Sequence, residues 1–116
     1  MKQDCKVALC QMRPTLGGVD RNFELHHEWL DRALEQGTDL VIFPELSLTG
    51  YFLRDLTQEV AMSLSDKRVS ELVARSKDCS IVFGIVEESE DHRFFNSAVF
   101  AEDGEILHVH RKVHLP

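Results

Sequence analysis

The sequence predicts an α/β fold built on a mixed sheet, and three observations carry that expectation. Short apolar runs alternate with helix-length amphipathic stretches through Val86, the pattern of strands joined by helical crossovers. The run Leu40-Val41-Ile42-Phe43 has no polar alternation, which suits a strand covered on both faces. Beyond Glu87 the spacing leaves no room for another helix, and Asp103-Gly104 carries a hairpin signal.

The elements follow in order. Lys6 to Met12 (KVALCQM) reads as the first strand, broken by Arg13, Pro14, Gly17 and Gly18. A helix follows, with Asp20 placed to cap it, Gly37 placed to stop it, and Val19, Phe23, Leu30, Ala33 and Leu34 on one side. His26 and His27 flank that stripe and are given no role, because such histidines are more often packed or surface residues than ligands. Leu25 and Trp29, four apart and off the stripe, are expected to touch a second helix or, failing that, a partner subunit.

Asp39 to Phe43 is the second strand, parallel to the first because a helix connects them. Pro44 has no N–H to donate and holds Phe43 extended, so it ends the ladder. Glu45 is thereby presented just beyond the carboxyl end of the strand, where open α/β sheets bind ligands. Leu56 to Ser63 reads as a short helix, and Ser65 or Asp66 caps a longer one through Lys77, with Val69, Leu72 and Val73 as its buried face. Ile81 to Val86 is a third parallel strand, Arg93 to Ala101 a fourth and Ile106 to Arg111 a fifth. Asn96 interrupts the fourth, where a structural hydrogen bond is expected.

Chain direction then ties two distant residues together. The two hairpins each reverse the chain, so the fifth strand runs with the second and its end comes to the Glu45 rim. That end carries Lys112. The expectation is that Glu45 and Lys112 converge on one concave site at the strand ends.

Composition excludes several classes. The 116 residues suit one domain, and 43% hydrophobic with 28% charged residues is a globular composition. Twenty acidic against thirteen basic residues give a net charge of −7, which argues against nucleic acid as a partner. No apolar run approaches a bilayer span, and the opening MKQDCKVALCQM lacks a secretory h-region, so a cytoplasmic protein without a membrane partner is expected. Cys5, Cys10 and Cys79 have neither disulfide nor zinc spacing and are expected to be reduced, mostly buried thiols. His108 and His110 alternate onto one strand face near His114, but no acidic or cysteine ligand accompanies them, so no metal or other cofactor is expected.

VIFPELSLTGY around Glu45 and HRKVHLP around Lys112, with VALCQM before them and Asp103-Gly104 between, make the chain resemble the nitrilase or carbon-nitrogen hydrolase superfamily. The resemblance implies a part of an αββα sandwich, a mixed sheet with helices on one face. By the same resemblance Glu45 is a general base and Lys112 an oxyanion-stabilising cation in a Glu-Lys-Cys triad. No cysteine stands in the nucleophile's context, so residues 1–116 are expected to be the N-terminal portion of a single longer domain, with the nucleophile beyond Pro116.

The implied function is hydrolysis of non-peptide carbon-nitrogen bonds in small amides, nitriles, carbamoyl compounds or glutamine, by a homo-oligomer. Tyr51 follows the glutamate closely and is expected to line the substrate pocket. Two other readings stand beside this one. Glu45 and Lys112 could form only a structural ion pair in a noncatalytic interaction module, or Glu45 could pair with Glu87 or Glu88 in a carboxylate-based hydrolase.

Overall fold

The computed structural model describes residues 4–15, 18–50 and 57–112. Its strands are β1 (Val7–Leu9), β2 (Leu40–Ile42), β3 (Ser80–Glu88), β4 (Phe94–Glu102) and β5 (Glu105–Arg111), and they lie side by side in chain order. β1, β2 and β3 are parallel, in a register that aligns Leu9 with Ile42 and Ile42 with Val82. The β3–β4 and β4–β5 pairs are antiparallel, so β5 runs with β2 as the direction argument requires. Asp103 and Gly104 close the second hairpin at φ 55° and 80°, the left-handed pair that matches strand twist.

Helices α1 (Val19–Glu35), α2 (Thr57–Val60) and α3 (Lys67–Arg75) complete the described elements. Asp66 caps α3, its side chain accepting from the Arg68 N–H at 2.8 Å. Asp20 does not cap α1; Gly18 holds that position, and Asp20 sits in the first turn. There it suits the helix dipole and takes a 3.2 Å ion pair from Arg68, tying α1 to α3. Gly37 ends the α1 connection at φ 72°, a conformation that glycine adopts without a Cβ penalty.

The core lies on one face of the sheet. Val41, Ile81, Phe83, Ile85, Val99 and Ala101 are buried there with Leu30 and Ala33 of α1 and Val69 and Leu72 of α3. Alternate residues point the other way, where Leu9 is 68% exposed and Leu40, Ile42 and Val82 are half-buried. The expectation that the 40–43 run is covered on both faces is thus corrected for the described residues. An unbroken apolar run signals two faces to be buried, and the described helices cover one of them.

Candidate active site

The site begins where β2 stops. The Phe43 N–H donates to the Val82 carbonyl at 2.8 Å, and Pro44 has no N–H with which to continue the ladder. The chain then turns, with Leu46 in the left-handed region at φ 52° and the Ser47 N–H donating to the Pro44 carbonyl. This turn crosses β3 at Gly84, where a Cβ would stand 2.4 Å from the Leu46 nitrogen. Both main-chain groups of Gly84 are used: its N–H donates to Ser47 Oγ at 3.0 Å, and its carbonyl accepts from the Leu48 N–H at 2.9 Å.

Because β3 offers no side chain at that point, Glu45 reaches across it to β4. Asn96 Nδ2 donates to Glu45 Oε1 at 2.8 Å, and Lys112 Nζ donates to the same oxygen at 3.5 Å. The Asn96 carbonyl also accepts from the Lys112 N–H at 2.9 Å, so Asn96 holds both residues. They meet beside a cavity of about 420 Å³ whose walls include Pro44, Val82, Asn96, Ala98 and His110. Glu45 and Lys112 retain 42% and 49% of their side-chain exposure. At that exposure the ion pair itself is worth only ~0–1 kcal/mol of stability. Convergence at the strand ends therefore agrees with the expectation, while Tyr51 lies outside the described residues.

Behind the turn, α1 supplies a buried polar network. His26 is fully buried, its Nδ1 2.6 Å from the Asn22 carbonyl and its Nε2 2.8 Å from Ser47 Oγ. The carbonyl can only accept, so Nδ1 carries the proton and the Ser47 hydroxyl donates to Nε2. Burial pushes the His26 pKa down from 6.5 to about 4, which keeps the ring neutral. Asn22 Nδ2 donates to the Leu48 carbonyl at 3.2 Å, fixing the far side of the same turn. His26 is not at the edge of the helix stripe but in its centre, with Asn22 one turn before it and Leu30 one turn after.

Other candidates fall away from the cavity. Cys10 and Cys79 are buried, their thiol pKa values raised by burial, and Cys5 is exposed. None of the three is among the cavity's described walls. Glu87 is 1% exposed on the helix-covered face, where Ser97 Oγ donates to Oε1 at 2.8 Å. Arg111 grips the same carboxylate through Nε at 2.9 Å and Nη2 at 2.6 Å, and these hydrogen bonds hold the Glu87 carboxyl below its usual range. Glu88 pairs with His92 at 2.9 Å. A hydrolase pairing Glu45 with Glu87 is therefore set aside, since the two carboxylates lie on opposite faces. Among the described residues no group of three or more His, Cys, Asp or Glu side chains could hold a metal ion, and no helix is long and apolar enough to cross a membrane.

Residues 6–116 match the carbon-nitrogen hydrolase family. The chain belongs to that family. This carbon-nitrogen hydrolase chain is 36% identical over 111 residues to the glutamine-dependent NAD(+) synthetase of Acinetobacter baylyi, covering 96% of itself and 20% of that protein. It is 33% identical over 115 residues to a nitrilase of Pyrococcus abyssi, covering 95% of itself and 44% of that protein. The solved glutamine-dependent NAD+ synthetase from Acinetobacter baumannii superposes with a TM-score of 0.79 at 38% identity, over 97% of this chain and 21% of that one. The chain thus spans about a fifth of the synthetases and under half of the nitrilase. The mixed sheet and its helices have the nitrilase fold of these neighbours.

Proposed function

We propose that this chain supplies the general base and the oxyanion-stabilising cation of a carbon-nitrogen hydrolase acting on small amides, nitriles or carbamoyl compounds, or on glutamine as a source of ammonia. The observation that carries the reading is the convergence of Glu45 and Lys112 at 3.5 Å from strands separated by two others. The family match and the names of the relatives support the bond type.

The chemistry assigns each residue a task. A cysteine thiol is only slightly ionised at neutral pH, so a carboxylate that removes its proton makes it a competent nucleophile. Glu45 takes that proton as sulfur bonds to the amide carbon, and the carbonyl electrons move onto oxygen. The Lys112 ammonium faces the charge that builds there, an effect worth a few kcal/mol in a water-poor site. As the C–N bond breaks, Glu45 returns the proton to the leaving nitrogen. Water, deprotonated by Glu45, then hydrolyses the thioester and releases the acid and the thiol.

In this reading the nucleophile belongs to polypeptide beyond Pro116, residues 1–116 are part of a longer hydrolase domain, and Tyr51 lines the pocket. The test uses the cysteine-bearing polypeptide with glutamine and a small aliphatic amide as substrates. Glu45→Gln and Lys112→Ala should each lower kcat by about 100-fold or more, on the scale of lost acid-base and oxyanion contributions, with circular dichroism unchanged. Full activity in both variants would leave Glu45 and Lys112 as a structural ion pair.

A further inference from the structure

Two pairs of consecutive residues straddle the sheet beside the site. Asn96 and Lys112 hold Glu45 on the open face, while Ser97 and Arg111 hold Glu87 on the helix-covered face. Ser97 stands opposite Arg111 in the β4–β5 register, and the Lys112 N–H closes onto the Asn96 carbonyl one step further. The last residue of β5 is thereby anchored by a buried carboxylate, and the residue after it carries the ammonium.

We propose that Glu87 is a positioning residue for Lys112, acting through Arg111. The inference rests on the catalytic reading of Lys112 given above. Its physical basis is that a long, half-exposed lysine side chain is placed only as well as its own backbone, and here the strand end would otherwise be free to fray. Glu87 is 2% exposed at its side chain and receives two nearly parallel N–H bonds from one guanidinium, a geometry that fixes both angle and distance. The guanidinium also lies 4.8 Å over the Phe95 ring, which leaves it little freedom to swing. Arg111 can therefore not slide along Glu87 without breaking a charge-assisted bond, and Lys112 cannot move without Arg111. A purely structural ion pair would instead affect stability and leave the placement of Lys112 unchanged.

The distinction can be measured in the cysteine-bearing polypeptide, with glutamine and a small aliphatic amide as probes. Glu87→Gln and Arg111→Lys should each lower kcat by about tenfold or more with KM within about twofold, as small misplacements of catalytic groups do. The paired change Glu87→Met with Arg111→Met replaces a buried carboxylate and its half-exposed guanidinium partner by apolar side chains, so that no charge is left buried without its partner. That variant should recover the parental melting temperature but not the parental kcat. Hydrogen exchange at the Lys112 amide should be faster in all three variants. A paired variant with parental kcat, or parental protection of the Lys112 amide in Arg111→Lys, overturns the proposal. If Lys112→Ala keeps full activity, the catalytic reading fails instead, and the amide-exchange result still decides whether Glu87 places the strand end.

Discussion

Gly84 is a residue whose missing side chain decides what its neighbours can do. The Leu46 nitrogen occupies the space a methyl group would need, and the turn bearing Glu45 cannot retreat without losing its bonds to Gly84 N–H and C=O. Gly84→Ala should therefore destabilise the fold by ~1–3 kcal/mol, as overpacking does, and lower hydrolysis by moving Glu45 off Asn96. Urea denaturation and kcat check the two effects, and an unchanged variant would show that the close approach is not required. His26 yields a pH prediction. Burial depresses its pKa from 6.5 to about 4, so between those values the unfolded chain binds the proton and the folded chain does not. Stability from this group is complete above pH 6.5 and is lost as pH falls toward 4, by up to ~3 kcal/mol. The corresponding slope of denaturation midpoints against pH should flatten in His26→Gln.

At the scale of elements, β5 owes its facing to one irregularity. Ala101 pairs with Ile106 but Phe100 pairs with His108, so Leu107 is an extra residue, 52% exposed. Strict alternation from Ile106 would turn Lys112 toward the helices and Arg111 toward Glu45; the bulge reverses both. Deleting Leu107 should remove the bulge while leaving Ile106 opposite Ala101 and His108 opposite Phe100, so Arg111 and Lys112 keep their faces and the cysteine-bearing polypeptide keeps its hydrolytic activity, whereas inserting a second residue beside Leu107 should exchange the two side chains and abolish hydrolysis. Lost activity on deletion, or retained activity on insertion, would show that the facing of Lys112 is not set by the residue count at the bulge. The same feature shows what the sequence could and could not reveal. Helices α1 and α3, the three parallel strands and both hairpins were legible from periodicity and turn residues. Strand ends were less so: β1 is confined to Val7–Leu9 rather than Lys6 to Met12, although the Cys10 N–H still reaches the Ile42 carbonyl at 2.9 Å. Glu45 and Lys112 were legible through chain direction, which the bulge does not alter. The Glu87–Arg111 grip was not, because it depends on a register shift, nor was Gly84, because close approach is a tertiary property. His26 was available in the spacing Val19, Asn22, His26, Leu30, Ala33, but a polar residue type masked a core position.

Across the whole molecule, one sheet face carries the helices and the other is open among the described residues. Val7 and Leu9 are 46% and 68% exposed there, beside half-buried Ile42 and Val82. A second sheet packed about 10 Å away would bury such a face. The 116-residue chain by itself should therefore associate, its sedimentation coefficient rising with concentration, and Leu9→Glu should reduce the effect. A parent chain that stays monomeric over a wide concentration range would count against an apolar face awaiting cover. The strand order has a different consequence. Every strand pairs with its neighbour in sequence, and the two antiparallel pairs close across short turns, events of microseconds. Glu45 and Lys112 are nevertheless 67 residues apart. On the ribosome, where the chain emerges amino end first, the carboxylate's parallel layer emerges before the lysine does. The carboxylate–ammonium pair is thus made only when β5 arrives.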